Sequence, residues 1–461
     1  MRVSAAAEKA GFPTATIVCS GFAVQGSATA AGLGVPGLPM AAYPGHVNFH
    51  TIGDLQKNVE TVLVDQIVKA LTVQPEEAKL PSEPGPRDIV FKGTFEDVNK
   101  FFYSREWSDS LPIVPPTNKK VEAFLKFVDR PPDEVIGVLL PDKRAATAWN
   151  IAVNGVMAGC RPEYMPVLVA IVEAMANPRF GQEHLGHTPG TEVLITINGK
   201  IIKDLGFNYG QGALRDGFQA NTTIGRFWRL YFRNVAGFLP HKTDKATFGG
   251  TWRVVLPEDE DTITQLGWEL MSVDQGFKAG DNVVTLSSCT SVDSMFTFAT
   301  PSVEEILDKL AARIVDIQLL AFKITFLGPG VRPLVLLSPC IAEAIARGGY
   351  SKQDVRQYLY EHATFSAKRY EHLSQDTYGF GSLCDAVACG KLPKRYCESP
   401  NSDRFVPIVW SPDDFIIIVS GDPAKDNCLV CAQNGYIGYP VSREISLPVN
   451  WEELLKHTED E

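Results

Sequence analysis

Residues 13–19 read PTATIVC, residues 38–43 read LPMAAY, and residues 51–71 read TIGDLQKNVETVLVDQIVKAL. The first two are short apolar runs of β character, and the third carries apolar residues at helical spacing. A short helical stretch, Ser4–Lys9, precedes them. Strand and helix alternating in this order favour a parallel sheet and place the chain in the α/β class. The unit is small, and no strand precedes its first helix. It is either a truncated, flavodoxin-like remnant or a piece that completes its sheet with a partner.

Working outward, residues 73–88 read VQPEEAKLPSEPGPRD, with four prolines, four acidic residues and almost no apolar content. A stretch of this kind cannot bury a core and reads as a linker. The expected division is therefore 1–72 as the N-terminal unit, 73–92 as linker, and 93–461 as one large, two-lobed α/β domain that holds the candidate catalytic machinery. Limited proteolysis is expected to cut the linker first. Primary cleavage elsewhere, with this stretch protected, would count against the boundary. In the large domain the strand candidates are Glu192–Ile197, Trp252–Leu256, Val283–Leu286, Pro333–Leu337 and Phe415–Val419. The helix candidates include Asn150–Ala158, Glu163–Ala176, Thr222–Val235, Val303–Phe322, Ile341–Arg347 and Lys352–Leu373.

Hydrophobic residues make up 45% of the 461 and charged residues 21%, the balance of a globular protein. The formal charge of −11 argues against nucleic acid as a partner, because phosphate binding needs a basic surface. No apolar run reaches the length of about 18 residues that a membrane helix requires. The first ten residues, MRVSAAAEKA, lack the apolar core of a secretory signal. Nine cysteines at low density then read as reduced thiols, mostly in the core, of a cytoplasmic protein.

Four places carry the residue types that chemistry needs. In MAGCRPEYMP (157–166) one helix ends near Gly159 and Pro162 opens the next. Cys160 would sit at that helix N-terminus beside Arg161, both of which favour a thiolate, with Glu163 in the first turn. Cys160 is thus a candidate nucleophile or metal ligand, or else a small buried residue at a helix elbow. In GFNYGQGALRDGFQANTTIGRFWR (206–229) a glycine-rich loop leads to a helix that Asn221 or Thr222 would cap, with Arg226 one turn in. Free N–H groups there make a candidate anion site. The loop WSDSLPIVPPT (107–117), stiffened by three prolines, would present Ser108, Asp109 and Thr117 to a pocket or serve as a wall strap. Cys428 and Cys431 form a CxxC, half of a metal site, though Cys384, Cys389 and Cys397 do not repeat the spacing.

At WSDSLPIVPPT, VNGVMAGCRPEYMPV, ITINGKIIKDLG and FQANTTIGRFWRL, the chain resembles the large companion protein encoded beside UGSC-type (seleno)proteins. The stretch Glu8–Leu71 resembles a UGSC-type protein from after its motif onward. The chain therefore looks like a fusion of both partners. In the family pattern a Sec or Cys followed by Gly-Ser-Cys precedes the segment matching Ala5–Lys9. If Met1 is the start, one redox or metal-binding element is missing. The family pattern also has glycine where this chain has Ser110. The resemblance implies a thiol- or metal-based enzyme with Cys160 and Asn221–Arg226 at its site, and it fixes no reaction.

Taken together, the expected function is a thiolate- or metal-dependent enzyme acting on a small anionic organic molecule, with lyase or hydratase chemistry favoured. The alternatives are a thiol-based redox or hydrolytic enzyme and a non-catalytic structural or regulatory subunit. The catalytic candidates are Cys160, Glu163 and Asp109. The substrate-binding candidates are Asn221, Thr222, Arg226, Arg161 and Asn198, and the candidate ligands of a transition metal ion are Cys160, Cys428 and Cys431. A homo-oligomer is expected.

Overall fold

A computed structural model describes residues 1–73, 84–296, 302–318, 330–374, 382–399, 401, 403–433 and 438–459. In the N-terminal unit, strands β1 (Thr16–Cys19) and β2 (Met40–Tyr43) pair in parallel, Thr16 opposite Met40 and Cys19 opposite Tyr43. The helix Arg2–Lys9 precedes them, Ala23–Gly32 crosses between them, and Ile52–Asn58 and Val64–Thr72 follow. The crossover helix, AVQGSATAAG, is built of small residues without helical patterning, so no periodic signal marks it. The unit has two small cores: Ala5, Ala30 and Leu38, and Ala41, Tyr43 and Leu63. It touches the rest of the chain through Arg2 and Glu183 (3.2 Å) and through Gln25 Nε2, which donates to Thr243 O (3.2 Å).

The large domain is organised on a seven-stranded mixed sheet. Its order is Ile416–Val419, Leu334–Leu337, Asn427–Gln433, Val283–Phe296, Glu192–Asn198 and Val255–Pro257, with Val441–Glu444 also pairing Val283–Phe296. Alternation along the strands sorts side chains to two faces. Leu194, Leu334 and Leu336 join one apolar cluster, while Ile195, Val335 and Leu337 point the other way. That second face carries two larger cores side by side. One is formed with helices Ala148–Ala158, Met165–Met175 and Gln219–Tyr231, the other with Val303–Gln318, Pro339–Arg347 and Lys352–His362. The α/β class holds, and two cores share one sheet. Among the described residues no helix is long and apolar enough to cross a membrane.

Some boundaries moved for identifiable reasons. The single helix read over Lys352–Leu373 is two, because Thr364–Ser366 pairs antiparallel with Phe405–Pro407. The short strand read at Val283–Leu286 runs to Phe296: its polar continuation, SSCTSVDS, is held by strands on both edges. Residues 319–322 of the helix read over Val303–Phe322 lie outside the described residues.

The expectation of wholly reduced thiols fails at Cys384 and Cys397, which form a disulfide with a Cα–Cα separation of 5.0 Å. The bond ties helix Leu383–Ala388 to the turn Lys394–Cys397, whose Tyr396 is buried. Cross-linking a loop of about this length is worth about 3 kcal/mol. Reduction is accordingly expected to lower the denaturation midpoint of wild type but not of Cys384→Ser.

Candidate functional site

The site begins with one helix. Thr147 caps Ala148–Ala158 in a reciprocal pair with Asn150, whose backbone N–H donates to the Thr147 hydroxyl. Trp149, Asn150, Val153, Asn154 and Met157 recur at helical spacing and therefore share a face. The helix stops at Ala158 because Gly159 takes a left-handed conformation (φ +83°), which side chains disfavour. Cys160 follows, then Arg161, and Pro162 opens a 3-10 turn into helix Met165–Met175. The elbow read from MAGCRPEYMP is present.

The proline loop packs against this elbow, with Val114 N donating to Met157 O (3.3 Å). Arg226 holds the loop. Its Nε donates to Asp109 Oδ2 (3.1 Å), and its Nη2 donates to Asp109 Oδ1 (2.9 Å) and Pro112 O (2.9 Å). Burial alone would raise the Asp109 carboxyl pKa, but the hydrogen bonds and charge of Arg226, with Arg253 beyond it, bring it below the usual value. Ser110 has φ +72°, a conformation that glycine adopts freely, and it stands where the family pattern has glycine. The helix carrying Arg226 lies close to the sheet at Gly225: a Cβ there would come within 2.3 Å of the Arg253 and Val254 backbone.

Beside the clamped loop lies a cavity of about 1050 Å³. Trp149, Asn150, Val153, Asn154 and Met157 form one wall, Trp107, Pro115, Pro116 and Thr117 of the proline loop a second, and residues 84–93 a third. That third segment is anchored by Trp149 Nε1, which donates to Pro86 O (2.7 Å), and by Phe91 stacked on Phe101 (4.7 Å). The charged residues of the lining are Arg87, Lys92, Arg144 and Asp88. The guanidinium of Arg87 sits 4.9 Å over the Trp149 ring, and Arg144 pairs with Asp142 (3.3 Å).

A chain of amides crosses the cavity floor. Asn154 Nδ2 donates to Asn150 O (2.9 Å), which leaves its Oδ1 to accept from Asn234 Nδ2 (2.9 Å). Asn234 Nδ2 also donates to Trp107 O (3.0 Å). Both donors of Asn234 are thus committed to acceptors that fix its orientation, and its buried Oδ1 has no hydrogen-bond partner. The arrangement can enclose an apolar body among aromatic rings, hold an anionic group at the cations, and supply one carboxylate, Asp88.

The sequence-derived candidates lie elsewhere, and several change role. Cys160 is buried, and loss of solvation pushes its thiol up to about 12 against the pull of a Thr223 hydrogen bond and the Arg226 charge. Burial thus opposes the helix-end thiolate expected from the sequence. Glu163 is buried and ion-paired with Arg161 (2.7 Å), which also lies over the Tyr164 ring (5.1 Å), and neither lines the cavity. The anion site at Asn221, Thr222 and Arg226 is also corrected. Helix Gln219–Tyr231 begins earlier, so Asn221 lies inside its first turn. Its carboxamide accepts from Asn208 N and donates to Asn208 O and Val255 O, each at 2.9 Å. The Thr222 hydroxyl accepts from Gly217 N (3.1 Å), and Arg226 is occupied by the proline loop. Asn198 is buried, donating to Glu258 (2.6 Å) and Glu260 (3.1 Å). Asp109 serves the clamp.

The metal reading fails on geometry. Cys428 and Cys431 are three apart on a regular strand, so their side chains leave opposite faces and enter different cores. Burial raises the Cys428 thiol to about 12, and Cys431 is raised first by its hydrogen bond with Cys289 and then by burial. Among the described residues no group of three or more His, Cys, Asp or Glu is placed to hold a metal ion. Cys160, Cys428 and Cys431 therefore do not form a site for the expected transition metal ion.

Of the cavity's three walls, the proline loop 107–117 stood out in the sequence, as a pocket wall or strap, whereas the helix face at 149–157 and residues 84–93 did not. The signal of the helix face was the spacing of Trp149, Asn150, Val153, Asn154 and Met157, two amides within an apolar helical face. No curated protein and no solved structure matches the chain. Residues 1–73 match the model of the UGSC family, so the N-terminal part of this chain is UGSC-type.

Proposed function

We propose that the chain binds and transforms a small organic anion with an apolar body in the cavity beside the proline loop. In this reading the part beyond the linker is the companion-type half of a fusion with the UGSC-type unit. The observation that carries the reading is the lining: aromatic walls of Trp107, Trp149, Phe95 and Phe102, with Asp88 and three cations, Lys92, Arg87 (3.0 Å from Asp133) and Arg144 (3.3 Å from Asp142). Ligand sites are commonly of this size and makeup, apolar with a few charged groups that fix orientation. Lyase or hydratase chemistry, the preference from sequence, needs a proton acceptor, and in this reading Asp88, the carboxylate of the lining, takes that part. Cys160 has no part in this reading, and no step runs through a metal.

Calorimetric titration with 4-phenylbutyrate and indole-3-acetate, each beside its uncharged primary amide, tests it. The acids are expected to bind and the amides to bind far more weakly, with the difference reduced by salt. A charge-assisted contact is worth about 1.5–3 kcal/mol, so Arg144→Ala is expected to weaken the acids roughly 10- to 150-fold. Equal binding of acid and amide, unaffected by Arg144→Ala, would remove the anion from the proposal.

A further inference from the structure

From Ala10 to Gly53 the chain contains no Asp, Glu, Lys or Arg. Residues 1–73 as a whole hold four of each sign, so the formal charge of −11 resides in the remainder. Of the 23 large apolar side chains exposed among the described residues, 12 belong to this unit. They include Ile17 on β1, Phe49 at 86% exposure and Ile52 at 76%. Single exposed apolar residues are ordinary, but a concentration of them on an uncharged stretch marks an interaction surface.

The backbone points the same way. Among the described residues β1 and β2 pair only with each other. A parallel sheet is normally covered on both faces, and two strands alone are marginally stable. The outer edge of β1 presents unpaired N–H and C=O groups beside the exposed Ile17, and such an edge is a template for another strand.

We propose that a second copy of this chain covers the unit, the two β1 strands pairing antiparallel across a two-fold axis in the order β2-β1-β1-β2. Charge selects a copy as the occupant. Two chains of net charge −11 repel through most of their surfaces, whereas the N-terminal units are neutral and can approach without that cost. A two-fold interface must also be complementary to itself. An uncharged apolar patch meets that condition because it calls for no opposite charge.

Sedimentation of the full chain at micromolar concentration is expected to show a dimer, and Ile17→Lys and Phe49→Asp are expected to shift it to monomer. Ile17→Cys in a Cys19→Ser background supplies a second reading that does not depend on disrupting the interface. Ile17 lies within the paired segment, so mild oxidation of this variant should give an intermolecular disulfide. A monomeric wild type would overturn the proposal. So would a dimer that survives both charge substitutions, or a dimer in which position 17 does not cross-link.

Discussion

Replacing Arg226 by alanine is expected to cost about 3 kcal/mol of stability, the lower end of what breaking a buried ion pair costs. The side chains of Arg226 and Asp109 are 15% and 10% exposed, and the guanidinium also donates to the carbonyl of Pro112. Removing it leaves the enclosed Asp109 carboxylate with the more distant Arg253, at 3.8 Å, as its ion-pair partner, and frees the proline loop that walls the cavity. Arg226→Lys keeps the charge but loses the two-pronged geometry, so an intermediate loss is expected. The pH dependence has a definite sign. The folded-state pKa of Asp109 is depressed, so its contribution is present above the unfolded carboxyl pKa, near 4, and is lost as pH falls through the folded value. Urea titrations across the acid range should show this component in wild type and not in Arg226→Ala. An alanine variant as stable as wild type would mean that the loop is held by other contacts.

Cys160 is expected to be nearly inert to iodoacetamide in the folded protein, in contrast to the exposed Cys389. Burial raises the Cys160 thiol from 9.0 to about 12, so its thiolate fraction near neutral pH falls about 1000-fold, before limited access slows the reaction further. Timed labelling at pH 8 followed by peptide mass spectrometry reads each cysteine separately. Rapid alkylation of Cys160 would restore the thiolate expected from Arg161 and the helix N-terminus.

The fold was legible where a segment's local pattern and its tertiary setting agree. The β1 and β2 runs, the helix at Asn150 and the elbow at Gly159 and Pro162 stand where their residues place them. The crossover helix Ala23–Gly32 was hidden by small residues, and the long strand to Phe296 by serines that its partner strands hold in place. In the motifs, side chains whose types suit a ligand are engaged by the protein itself. Asn221, Thr222 and Arg226 read as an anion site because a capped helix start and an arginine look the same whether a ligand or the protein fills them. Only the fold shows that Asn208, Val255 and Asp109 take those places. A CxxC on a strand is likewise no chelate, since its spacing sends the two thiols apart. The cavity gave the weakest signal, because its walls come from distant segments, 84–93, 107–117, 149–157 and Asn234.

In the proposed function the ligand lies in the cavity and Cys160 has no part in holding it. Titration of 4-phenylbutyrate into wild type, Val153→Trp and Cys160→Ala tests this most directly. Val153 lines the cavity, and an indole there fills space that the ligand would need. Binding is expected to be lost in Val153→Trp, with melting behaviour near that of wild type, and retained in Cys160→Ala. Binding that persists in Val153→Trp and disappears in Cys160→Ala would contradict the account and return the site to the elbow.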